Sequence, residues 1–159
     1  MIKIKQDKKL KKAAEHVKYE ITMFRSTTKQ LYYFEQMGHK DRKTDQLLIN
    51  VFLESFAIHS YNLFRFFYSV KNRRTTDIIA EDFNIRRGFF KSNRTPKKEL
   101  KNIENKRNKQ IAHLTYNRIY RNKRTKPWNV GLISKHMEQT IKAFIDSLSD
   151  KHHSLFNNI

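Results

Sequence analysis

Three glycines and two prolines in 159 residues leave this chain few means of turning sharply. A sandwich or barrel needs turn residues roughly every 8 to 12 positions, so an all-β architecture is excluded and helices must dominate. The apolar pattern agrees. From Asp7 to about Met37, Leu10, Ala14, Val17, Ile21, Phe24 and Leu31 recur at helical steps, which predicts a long amphipathic helix with Asp7 as N-cap and Gly38 as stop. Ser26-Thr27-Thr28 offers a place for it to bend. From about Thr44 to Val70, apolar residues including Leu47, Leu48, Val51, Phe56, Ile58, Leu63 and Phe67 occupy nearly the whole helical circumference, as a central helix surrounded by others requires.

After Lys71 the pattern weakens. A short helix is expected over Asp77 to Phe83, capped by Thr75 or Thr76, followed by a basic aromatic loop from Arg86 to Arg94. Thr95-Pro96 reads as an N-cap with proline at the first helical position, opening a segment that runs to about Arg121. A last helix covers about Leu132 to Leu148, with Met137, Ile141, Phe144 and Leu148 on one stripe. The sum is an all-α, up-and-down bundle of four main helices plus a short one. Residues 1–150 form its single domain, and residues 151–159 are left as a polar tail. With 38% hydrophobic and 13% aromatic residues the chain carries too much bulky apolar surface to remain disordered, despite a mean hydropathy of -0.83.

The net charge of +19 is unevenly placed. Residues 71–126 hold 18 basic and 5 acidic side chains, a net +13, against +6 for residues 1–70 and zero for residues 127–159. Compositional bias toward Lys, Asn and Ile would raise the charge without clustering it. Such a field attracts a polyanion, with RNA or DNA first and an anionic membrane surface or an acidic protein behind it.

The chain contains no cysteine, which excludes disulfides, thiolate metal sites and cysteine nucleophiles. Three glycines are too few for a phosphate-cradling loop, and the acidic residues are too scattered for a carboxylate pair or a triad. His152-His153 invites a metal reading but lacks a ligand cluster at suitable spacing, so neither a metal nor another cofactor is expected. The polar start Met1-Ile2-Lys3-Ile4-Lys5 and the lack of an apolar run of about 18 residues point to a cytoplasmic protein without a membrane partner.

The segment after Pro96 breaks its own pattern. Its apolar stripe reads Leu100, Ile103, Arg107, Ile111, Leu114, Arg118, so two arginines occupy core-type positions. Such a violation marks a functional site, a snorkelling side chain or a dimer interface. His113 follows Arg107 by six residues, which on a straight helix sets them about 120° apart. A break at Asn105 or Asn108, both good N-caps, would instead restart a helix beside Arg107, where free amides and a guanidinium together suit a phosphate.

Arg107-Asn108-Lys109-Gln110-Ile111-Ala112-His113 resembles the R-x(4–6)-H motif of HEPN-domain proteins, including the polar Asn after the Arg. Leu53 to Leu63 and Ile111 to Arg118 are also similar to HEPN-like bacterial proteins, and the likeness spans roughly residues 44–121. The resemblance implies a small helical homodimer of a toxin–antitoxin or antiviral defence system, and in many members a metal-independent ribonuclease. Carried over, Arg107 would stabilise charge on the scissile phosphate, Asn108 would position it, and His113 would act as general acid or base. The chemistry is self-consistent, because RNA brings its own 2′-OH nucleophile and needs only a proton acceptor and cationic stabilisation.

Around this motif, Arg86, Arg87, Phe89, Lys91, Lys109 and Arg118 are candidate substrate-binding residues, and Glu54 and Tyr116 candidate supporting ones. Each has a structural alternative. Phe89 and Phe90 would either pin the loop to the core or stack bases. His113 would be either catalytic or a structural histidine near Lys109, Tyr116 and Tyr120. Glu54 would either orient the site or pair with Arg65, Arg107 or Arg118. Two further functions compete with the nuclease: a non-catalytic nucleic-acid-binding or adaptor module, and a defence-system subunit that binds an acidic partner protein such as an antitoxin.

Overall fold

The computed structural model describes residues 2–37, 42–68, 77–83, 103 and 128–159, and every regular element among them is helical. We number the α-helices α1 (Ile2–Met37), α2 (Arg42–Tyr68), α3 (Val130–Asp146) and α4 (Asp150–His153); short 3-10 turns cover Ala80–Phe83 and Ser154–Phe156. The chain is thus all-α, with no strand among the described residues.

α1 starts earlier than its apolar stripe predicts and does not break at Ser26-Thr27-Thr28. Thr27 Oγ1 donates to Met23 O, and Thr28 Oγ1 to Phe24 O, both at 2.8 Å. Those hydroxyls are satisfied inside the helix, so they do not need to open it. Ala13, Ala14, Val17, Ile21 and Phe24 form its buried stripe.

α2 runs antiparallel to α1: Glu20 meets His59, Phe24 stacks on Phe56 at 5.5 Å, and Phe34 faces Phe52 at 5.8 Å. α3 also runs antiparallel to α1, since Arg25 meets Glu138 and Thr28 meets Ser134. Tyr68 ties α2 to α3. Because the Thr140 hydroxyl donates to His136 O at 2.9 Å, the Tyr68 hydroxyl donates to Thr140 Oγ1, also at 2.9 Å.

Only the second half of α2 is the central helix the sequence suggested. Phe56, Ala57, Leu63, Phe64, Phe66 and Phe67 are buried, whereas Leu47 and Val51 are 64% and 53% exposed. Thr44–Tyr68 is also long and apolar enough to cross a membrane by length and composition, contrary to the sequence reading, and a third of its most apolar window (33%) is buried in the fold.

The core closes on a phenylalanine cluster. The Phe144 ring lies 5.3 Å from that of Phe66, 5.6 Å from Phe67, 5.9 Å from Phe83 and 5.1 Å from Phe156, all edge to face, the arrangement the aromatic quadrupole favours. Phe156 belongs to the segment read as a polar tail, and that reading needs correction. Phe156 and His152 are buried, and His152 Nδ1 donates to the Phe83 carbonyl at 3.0 Å. Leu155 and Ile159 pack against the same core, so a mostly polar segment docks through three apolar side chains and one satisfied imidazole.

The helix expected over Asp77 to Phe83 is a single 3-10 turn, Ala80–Phe83, fixed by Asp82 Oδ2 accepting from Ile79 N at 3.0 Å. α3 starts two residues before its predicted position. The Asn129 side chain caps it, accepting from Leu132 N at 2.9 Å, a bond worth about 1 kcal/mol. Of the segment opened by Pro96, Ile103 is described, and it is helical and buried as its stripe position requires.

Candidate functional site

The residues of the Arg–His motif and its basic surroundings, Arg86, Arg87, Phe89, Lys91, Arg107, Asn108, Lys109, His113, Tyr116 and Arg118, lie outside the described residues. Glu54 is described, and it is exposed. Its suggested partner Arg65 instead reaches Asp77 Oδ2 at 3.3 Å, so the Glu54–Arg65 pair does not form.

Two polar constellations stand among the described residues, and both sit on α1. The first joins it to α2, where His59 and Asn62 interrupt the apolar pattern and need partners. Glu20 serves both, its Oε2 accepting from His59 Nδ1 at 2.7 Å and from Asn62 Nδ2 at 3.2 Å. Burial makes the pairing necessary, since His59 is only 8% exposed. The Tyr19 ring packs edge-on against the imidazole at 5.7 Å. Nε2 of His59 makes no hydrogen bond among the described residues. Oriented through Nδ1 by a carboxylate, the imidazole is held in one rotamer and one tautomer.

The second constellation is a groove of about 420 Å³ between α1 and the first turns of α3, within the size range of small-ligand sites. Arg25, Lys29, Tyr32 and Gln36 follow one another at i, i+4, i+7 and i+11, so a single face of α1 forms one wall. Tyr33 flanks them, and Phe24, Thr28, Ser134 and Glu138 complete the lining. With the Thr28 proton committed to Phe24 O, the Ser134 hydroxyl donates across the groove floor to Thr28 Oγ1 at 3.3 Å.

Arg25 closes one end. Its Nε and Nη2 each donate to Glu138 at 2.8 Å, a two-pronged pair that raises the guanidinium pKa above its ordinary value through the hydrogen bond, against the opposing desolvation. Nη1 is left without a partner among the described residues. At the other end Gly131 gives room: a Cβ there would sit 3.3 Å from the Tyr32 hydroxyl, so glycine lets that ring lie across the start of α3. Tyr32 and Tyr33 are nevertheless 39% and 50% exposed, and Lys29 is exposed with no carboxylate against it among the described residues.

The sequence reading singled out neither Glu20 nor this groove. The signal was present: a tyrosine pair and two cations recur on the α1 face beside the buried stripe, but the facing wall comes from α3, more than a hundred residues away. No known protein family, curated protein or solved structure matches the chain. Fold and site together define an all-α protein with a histidine–carboxylate clip between its first two helices and an open aromatic, cationic groove between its first and third.

Proposed function

We propose that this chain is a HEPN-like, metal-independent endoribonuclease of a toxin or defence-type system. The observation that carries the reading is Arg107-Asn108-Lys109-Gln110-Ile111-Ala112-His113 set within a segment of net charge +13. The all-α architecture supports it, being the class of fold that the resemblance implies. In this mechanism the basic segment concentrates RNA, Arg107 offsets charge on the phosphorane, and His113 takes the proton from the attacking 2′-OH or returns one to the leaving oxygen. The reading carries with it a homodimer, a cytoplasmic location and an acidic protein partner that holds the enzyme in check.

The purified chain should cut RNA in EDTA and leave a 2′,3′-cyclic phosphate end. His113→Ala should stop cutting and leave binding within about twofold. Undiminished cutting by that variant would remove His113 from the reaction. RNA binding by the wild type without any cutting would replace the enzyme with the adaptor or binding module, whose affinity should then respond to charge reversal at Arg86, Arg87 or Lys91 more than to His113→Ala.

A further inference from the structure

The groove between α1 and α3 has the features of a binding site that the Arg–His motif does not supply. Its wall offers two half-exposed phenol rings, its rim offers Lys29 and the unengaged Nη1 of Arg25, and its floor offers the Thr28–Ser134 hydroxyl pair. The lining carboxylate, Glu138, is already neutralised by Arg25. An apolar slot with cations at its edge and hydroxyls at its base complements a flat ring carrying an anionic group.

We propose that this groove holds an unpaired base of single-stranded RNA, stacked against Tyr32 or Tyr33 with its phosphate at Lys29, as an accessory site. The proposal rests on the reading of RNA as the ligand. Stacking suits any base, because each has a π-face, whereas duplex RNA has its bases already stacked and cannot offer one to the groove. The site therefore selects single strands, and the bulk charge of the chain does not.

The test measures binding of the full chain to a labelled 2′-O-methyl decamer, which lacks the nucleophilic hydroxyl and cannot be cut by 2′-OH attack, beside a duplex of the same length. Replacing both tyrosines (Tyr32→Ala with Tyr33→Ala) should weaken single-strand affinity about 5- to 150-fold, the equivalent of one lost stacked base, and leave duplex affinity and the salt slope unchanged. Tyr32→Phe with Tyr33→Phe should retain the affinity. Lys29→Ala should reduce the single-strand salt slope by about 0.7, one phosphate contact. Unchanged single-strand affinity in the alanine variant, or an equal loss for duplex, overturns the proposal. Should the double variant fail to fold by circular dichroism, Tyr32→Ala and Tyr33→Ala are measured singly: at least one should weaken single-strand and not duplex binding, and no loss in either overturns the proposal. A wild type that binds in a tyrosine-dependent way but never cuts RNA sinks the nuclease reading and leaves the groove; one that cuts RNA with tyrosine-independent binding does the reverse.

Discussion

Ser60 is fully buried, and its hydroxyl has no hydrogen-bond partner among the described residues. It lies in the buried half of α2. A hydroxyl stripped of water without compensation costs roughly 1–3 kcal/mol. Ser60→Ala removes one atom and opens almost no cavity, so it should raise stability by about 1 kcal/mol, read as an increase in urea midpoint at unchanged m-value. Its neighbour behaves oppositely. Glu20→Ala strips the acceptor from His59 and Asn62 together and should cost about 1–3 kcal/mol in the same measurement, whereas Glu20→Gln keeps an oxygen in place and should cost less than half of that. Equal losses in the two variants would show that the clip acts through the carboxylate's charge and not through packing or the hydrogen bonds that a neutral amide oxygen still accepts. The need for this clip was legible in the sequence, because a histidine and an asparagine on an apolar helix require partners. The partner's identity was not. It depends on the register between α1 and α2, which periodicity within either helix does not contain.

Periodicity reveals an element when its apolar face is repeated over several turns. α1, α2 and α3 were readable for that reason, to within a few residues at most ends. The exposure of the first half of α2 was not, because apolar residues at Leu47, Leu48 and Val51 read as core whether or not a neighbour covers them. The C-terminal segment failed in the opposite sense: Asp150 to Ile159 has too few turns to show a period, and its docking centres on one buried ring, Phe156, with Leu155 and Ile159 packed against the core beside it. That ring is testable. Phe156→Ala removes the edge-to-face partner of Phe83 and Phe144, at 5.3 and 5.1 Å, and should cost about 3–5 kcal/mol, the usual range for deleting a buried phenyl group. A thermal scan in which the variant melts within about 2 °C of wild type would mean the segment is dispensable and the polar-tail reading should be restored. The Arg–His motif and its basic surroundings, by contrast, are legible through their chemistry alone.

At the scale of the whole molecule the question is whether +19 acts as a diffuse field or as a localised one. The two give different salt behaviour. A single strand neutralised at about five phosphates should bind with a slope near -3.5 in log affinity against log salt, a loss of about 100-fold between 50 and 200 mM. If the cluster in residues 71–126 makes those contacts, Arg86→Glu with Arg87→Glu should flatten the slope by about 1.4 and weaken binding at low salt by at least about tenfold. The matched reversal on α3, Lys135→Glu with Lys142→Glu, changes the net charge equally and involves two exposed side chains within residues 127–159, whose net charge is zero. It should leave the slope within about 0.3 of wild type, since a screened surface charge beyond about a Debye length of 10 Å contributes little. Indistinguishable slopes for the two double variants would show that the ligand responds to the total charge of the chain, and the clustering on which the RNA reading depends would then have no binding consequence.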